Sequence, residues 1–251
     1  MSQSKVALVT GSGKHRIGAS IADALGRRGF RIVLHYLTSG NEARESTARF
    51  EQLGIPAIAV QADLTVEADV KRLIATAVGQ WGRLDVLVTC ASIWRPKRLE
   101  ETTASDVQQH FEANTLSTFL CCQHAGLLMV GQPEGGCIVT IGDWAIRRPY
   151  RDYAAYFPSK GAIPALTRSL AVELGTRNPR VRVNCVHSGP AMIPSQVSRD
   201  ERQAIVRGTL VAREGRPDNV AQAVLYLVEN DFVTGDCLTV DGGRSIYAGD
   251  V

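Results

Sequence analysis

The feature that most constrains this chain is an alternation. Short apolar, β-branched runs at 6–10, 32–36, 57–61, 86–89, 137–141, 181–186 and 238–240 are separated by longer stretches with helical periodicity. Those stretches cover 17–28, 42–53, 66–81, 103–130, 153–175 and 219–228. Near-continuous apolar runs suit strands covered on both faces, and strands alternating with helices build βαβ units around a parallel sheet. The expectation is therefore an α/β chain with a doubly wound, parallel seven-stranded sheet and helices on both faces. A length of 251 residues without repeat, low-complexity tract or linker predicts one domain over 1–251. The one long irregular stretch, 188–216, reads as a substrate lid or as a segment with short helices of its own.

Composition excludes several function classes. Lys and Arg number 28 against 25 Asp and Glu, and no basic block exceeds two consecutive residues, so neither nucleic acid nor a membrane surface is an expected partner. No run approaches the ~20 apolar residues of a membrane span. The first residues, Met1-Ser2-Gln3-Ser4-Lys5 and on to Gly13, lack the charged, apolar and small-residue order of a signal peptide, so a cytoplasmic protein is expected. The six cysteines sit in apolar segments with no CxxC spacing, which predicts reduced packing residues and no metal site.

The first apolar run leads straight into Thr10-Gly11-Ser12-Gly13-Lys14-His15-Arg16-Ile17-Gly18 and then a helical pattern. Glycines there permit a tight turn and close approach of a pyrophosphate, while a helix N-terminus offers unpaired N–H groups. A Gly-rich turn alone is weak; the strand before it, the helix after it and the βαβ pattern beyond make it a dinucleotide site of the Rossmann kind. The second strand ends His35-Tyr36-Leu37-Thr38-Ser39 with no acid to hold a ribose 2′-hydroxyl. Hydroxyls and Arg16 suit a 2′-phosphate instead, so NADPH is the expected cofactor.

Tyr156 and Lys160 stand four apart at the start of a helical pattern and so share one face. An ammonium beside a phenol stabilises the phenolate, which predicts a Tyr156 pKa below the usual value of about 10. With Asn114, Val60-Gln61-Ala62-Asp63, Cys90-Ala91-Ser92, Arg182-Val183-Asn184, Ser188-Gly189-Pro190 and Asp241-Gly242-Gly243, these residues resemble the short-chain dehydrogenase/reductase family over nearly the whole length. The resemblance implies Tyr156 as acid/base, Lys160 on the nicotinamide ribose, and Asn114 holding a water that feeds protons toward Lys160. It also implies Asp63 and Leu64 near the adenine. Cys90, Ala91 and Ser92 would run along the cofactor, with Gly189, Pro190, Met192 and Ile193 closing over it. A homotetramer built through the fourth and fifth helices is likewise implied.

Four positions depart from the family pattern. Asp143, thirteen residues before Tyr156, stands where the family has Ser; Arg16 replaces the middle glycine; Trp94 follows Ser92 by two; Cys90 replaces the usual Asn. The Asp143, Arg16 and Trp94 departures occur together in pteridine and dihydromonapterin reductases, and His35-Tyr36 with Ser39 resembles the same group. Trp94 alone would read as loop packing, and Asp143 alone as a turn or cap residue. Together they imply a pterin-like small-molecule substrate held by Arg16, Ser92, Trp94, Asp143 and Tyr156, with Trp94 forming a slot for a flat ring. The alternative enzyme reduces a ketone, sugar or 3-oxoacyl thioester; a nucleotide-binding regulator would need none of the Asn114, Tyr156 and Lys160 set. Arg147, Arg148 and Arg151 are candidates to attract an anionic substrate tail, and Pro164 predicts a bend in its helix.

Overall fold

The computed structural model describes residues 4–247. Seven strands, β1 (Val6–Val9), β2 (Arg31–Tyr36), β3 (Ala57–Gln61), β4 (Val86–Thr89), β5 (Gly136–Asp143), β6 (Val181–Ser188) and β7 (Cys237–Val240), form one sheet in the order β3-β2-β1-β4-β5-β6-β7. Every pairing is parallel. Eight helices cover it: α1 (Ile17–Arg27), α2 (Gly40–Gln52), α3 (Glu67–Trp81), α4 (Ala104–His110), α5 (Ser117–Val130), α6 (Tyr156–Gly175), α7 (Arg199–Arg207) and α8 (Pro217–Glu229). This is a single-domain Rossmann fold, as the alternation predicts.

The sheet is buried on both sides, which is why its strands read as unbroken apolar runs. On one face Leu8, Leu87, Ile138 and Val183 pack with Leu73 of α3 and Met129 of α5. On the other Val9, Leu34, Val88 and Val139 pack with Leu25 of α1, Phe50 of α2 and Val224 of α8. All four side chains of β1 are fully buried, and each Val or Leu so removed from water stabilises the fold by about 1.5–3 kcal/mol. The chain leaves β3 at one edge and returns as β4 on the far side of β1, so β1 and β4 are neighbours whose outgoing loops diverge. That reversal opens a crevice at their C-terminal ends, the place where open α/β sheets bind nucleotides.

The structure differs from the sequence expectation in three regions. β5 and β6 run on to Asp143 and Ser188 because they pair in register through Gly142↔His187 and Asp143↔Ser188, and this extension puts Asp143 at a strand end. The helix expected over 103–130 is interrupted: 111–116 widens into a π-helical turn between α4 and α5. Helix α6 begins at Tyr156 and runs unbroken through Pro164, whose missing N–H leaves the Lys160 carbonyl without its helical donor. Within 188–216 the chain does form a short helix, α7, opened by a reciprocal Ser198–Glu201 capping box.

Candidate active site

The cleft at the sheet reversal is built by hydrogen bonds from strand ends. Thr10, just beyond β1, accepts the N–H groups of Cys90 (3.0 Å) and Ala91 (3.1 Å) on its hydroxyl. It therefore fixes the loop after β4. Gly11 has φ +63, and a Cβ there would lie 2.8 Å from the Ala91 Cα; only glycine meets both demands. A Cβ on Gly18 would lie 2.8 Å from the Gly11 carbonyl, and one on Gly13 2.7 Å from both the Ser39 hydroxyl and Tyr36. The loop is thus packed against the first turn of α1 and the end of β2, a bare-backbone cradle at a helix N-terminus that fits a pyrophosphate.

His35, expected among the cofactor contacts, has a different role. It is buried, its Nδ1 accepts the Gly11 N–H at 3.0 Å, and its Nε2 lies 3.0 Å from the Ala62 carbonyl. The two bonds define one neutral tautomer, with the proton on Nε2. Ser12 completes the staple: its hydroxyl donates to the Val9 carbonyl and accepts the His35 N–H. Both residues shape the loop from beneath. His15 and Arg16 lie exposed on its outer side with Ile17 half-buried, and Arg16 is the residue before α1 with its side chain making no cap bond. Thr38 is exposed and Ser39 buried at the start of α2, with Tyr36 half-buried beside them. Asp63 accepts the Thr65 N–H and O–H on Oδ1, forming the turn into α3, and Leu64 is buried next to it.

Across the crevice, Asp143 and Tyr156 meet. The Tyr156 hydroxyl donates to Asp143 Oδ2 at 2.7 Å, and Asp143 Oδ1 accepts the Ala145 N–H at 2.8 Å. Burial, then the adjacent carboxylate charge and its hydrogen bond, push the Tyr156 pKa well above its usual value. This corrects the expected lowering by Lys160, because burial disfavours the phenolate and the charge that acts on the phenol is the negative one of Asp143. Lys160 is itself buried and donates to the Ile141 carbonyl at 2.9 Å; burial pushes its pKa down while Asp143 opposes that shift. Asn114, in the widened turn, receives the Ile93 N–H at 2.7 Å and donates to the Ile93 carbonyl and to Ser159, both at 3.0 Å. Its carboxamide is committed to positioning the loop after β4, and the Asn114 carbonyl accepts the Thr118 hydroxyl.

Trp94 is half-exposed and lies flat on Tyr153, with ring centroids 4.8 Å apart and planes at 12°. Its indole N–H donates to the Tyr150 hydroxyl at 3.2 Å. Tyr150 and Tyr153 meet edge to face at 5.0 Å, and Tyr153 and Tyr156 at 6.2 Å. The aromatic wall beside the Asp143–Tyr156 pair is thus continuous, and sequence reading found only its first member. The spacing of Tyr150, Tyr153 and Tyr156 was the available signal. Ser92 is exposed and Ala91 half-buried at the mouth. Gly189 and Pro190 are half-buried at the exit of β6, followed by exposed Met192 and half-buried Ile193. Arg148 donates to the carbonyls of Arg244 and Tyr247, tying down the C-terminal segment, whereas Arg147 and Arg151 are exposed. Arg182, part of the resemblance, ends α8 by donating to the Leu227 and Val228 carbonyls.

Residues 12–245 match a family profile described as enoyl-(acyl carrier protein) reductase. The chain belongs to the short-chain dehydrogenase/reductase family. An uncharacterized oxidoreductase of Methylorubrum extorquens is 34% identical over 96% of this chain and 98% of its own length. Carbonyl reductase family member 4 of Danio rerio is 34% identical over 97% and 99%. A blue fluorescent protein from a metagenomic library, solved in complex with NADPH, is 33% identical and superposes with a TM-score of 0.87 over 96% of this chain and 97% of its own. This chain is accordingly a short-chain oxidoreductase that uses a nicotinamide cofactor. Among its described residues no helix is long and apolar enough to cross a membrane.

Two outcomes follow from the geometry. Burial lowers the His35 pKa below the ordinary 6.5, so the unfolded chain takes up the proton first. The staple's contribution is full above that value and is lost as pH falls through the lower folded-state pKa. Thermal melts should show stability falling from neutrality toward pH 5, and His35→Asn, which keeps an acceptor for the Gly11 N–H but cannot titrate, should flatten that fall. For Tyr156, a raised pKa keeps the phenol protonated to higher pH, so a reduction that needs its proton declines only far into the alkaline range. Asp143→Ser and Asp143→Asn both remove the charge and should move the alkaline limb of the pH–rate profile to lower pH; an unmoved limb would mean that Asp143 does not control the phenol.

Proposed function

We propose that this chain is an NADPH-dependent reductase of a pterin-type, flat heterocyclic substrate. The observation that carries the reading is the Asp143 carboxylate bonded to Tyr156 beside an aromatic wall of Trp94, Tyr150 and Tyr153. A reduced nicotinamide bound in the cradle supplies hydride. The chain's own residues do the rest. A carboxylate accepts the amino and ring N–H edge of a pterin, which the family's usual serine hydroxyl does less well. The substrate's ring nitrogen takes the place of Asp143 as acceptor of the Tyr156 O–H and receives its proton. Lys160 steadies the resulting phenolate and holds the cofactor ribose, Asn114 positions the loop that carries Ser92 and Trp94, and residues 188–216 fold over the bound pair to exclude water. Exposed Phe111, Leu116, Phe119 and Val172 on the α4–α5 and α6 surfaces supply the apolar contact for a homotetramer of a cytoplasmic enzyme.

The preference for NADPH rests on the missing acid after β2 and on exposed Arg16 and Thr38 close to the loop. A charge-assisted contact contributes about 1.5–3 kcal/mol, so Arg16→Ala should weaken NADPH roughly tenfold or more while changing NADH little. Titration of both cofactors by fluorescence checks this, and equal binding by the unaltered protein would overturn it.

A second reading, reduction of a carbonyl, is favoured by the Danio rerio carbonyl reductase relative. The deciding experiment follows NADPH oxidation with a dihydropterin, a quinone, a ketone and an acetoacetyl thioester. The pterin reading expects the dihydropterin to be preferred, a diaminopteridine antifolate to compete, and Trp94→Ala to weaken that inhibitor several-fold, since stacking contributes about 0.5–1.5 kcal/mol beyond burial. Turnover of the best substrate untouched by saturating antifolate would pass the assignment to carbonyl reduction.

A further inference from the structure

The sequence shows no metal-ligand spacing, yet the pairing of β6 with β7 assembles one. Cys185 and His187 are two apart on β6 and project to the same face, and Cys185 is in register with Cys237 of β7. The two sulfurs and an imidazole nitrogen all lie within 4.8 Å of one another, with Cys185 Sγ and His187 Nδ1 3.9 Å apart. Zinc bonds of about 2.3 Å to sulfur and 2.0–2.1 Å to nitrogen in a tetrahedron set ligand atoms roughly 3.6–3.8 Å from each other. The Cys185–His187 pair needs to close by about 0.3 Å to reach that separation, and the others by at most about 1 Å.

The neighbouring strand holds two of these donors close together. Gly142 of β5 pairs with His187, and a Cβ on it would fall 2.4 Å from His187 Nδ1 and 3.0 Å from Cys185 Sγ. Without a side chain on Gly142, the imidazole and the Cys185 sulfur pack directly on its backbone and stay together. Cys185 and His187 are buried and Cys237 is half-buried at the sheet edge, which gives an ion a route in and leaves a fourth position for water. Charge also balances. Two thiolates and a neutral imidazole offset a divalent cation, so its burial leaves no uncompensated charge.

We propose that Cys185, His187 and Cys237 form a binding site for a thiophilic divalent cation of the zinc type, built across β6 and β7. It is reached through the edge strand and lies under the residue that precedes Asp143.

The test uses the full-length protein, kept reduced, with all six cysteines free as the structure has them. Cobalt(II) titration should give an intense near-ultraviolet thiolate-to-metal band and visible bands of tetrahedral strength, saturating at one equivalent and bleached by one equivalent of zinc. Zinc should also protect Cys237 from alkylation, read by peptide mass, and raise the melting temperature. Cys237→Ser, at a half-buried position, and His187→Asn should each weaken the metal at least tenfold. No thiolate band, a band unchanged by Cys237→Ser, or a Cys185–Cys237 disulfide that persists under reductant would overturn the site.

Discussion

Two buried side chains, Thr10 and His35, hold the ends of four parallel strands in one arrangement, and the whole site depends on them. Thr10 ties β1 to the loop after β4. His35 ties β2 to Gly11 on one side and, through Ala62, to the end of β3 on the other. Strand ends in a parallel sheet leave backbone donors without ladder partners, and buried donors must be satisfied. Here they are satisfied by side chains that also set the shape of the cradle. The backbone N–H groups left for a ligand are those of the outer loop and the helix start.

The opposite wall follows a different logic. Asp143, Tyr156 and Lys160 bring a carboxylate, a phenol and an amine together in a water-poor corner, where charges act strongly on one another. Tyr156 donates to the carboxylate and Lys160 to a backbone carbonyl, so the phenol is held as a proton donor. A ligand that takes over Asp143 changes the acceptor seen by Tyr156. The carboxylate thereby links substrate recognition to proton delivery, a link that a serine in its place would make without charge.

What could be read in advance follows from how local each signal is. The order of elements and the Gly11–Gly18 turn were legible because apolar runs, amphipathic periods and glycines are written residue by residue. Tyr156 and Lys160 were legible because a helix places fourth neighbours on one face. The stapling role of His35 was not legible, since its partners, Gly11 and Ala62, are distant in the chain and meet only through strand order. The upward direction of the Tyr156 shift comes first from burial and then from the Asp143 carboxylate, which β5 carries to the phenol through its register with β6. Cys185, His187 and Cys237 looked like packing residues because their proximity exists only across the β6–β7 pair.

The widened turn at 111–116 makes the long α4–α5 element a device that counts residues. A π-helical turn accommodates one residue more than the α-helix around it. Were one residue removed there, the stretch would close into ordinary α-helix and everything after it would rotate by about 100°. Leu120, Cys121, Ala125 and Met129, which now face the sheet, would turn aside, and Asn114 would lose its hold on Ile93. Chain length in this one turn is therefore as tightly constrained as the identity of any residue in the cleft. Insertions and deletions that a surface helix would absorb become coupled here to the position of the loop carrying Trp94.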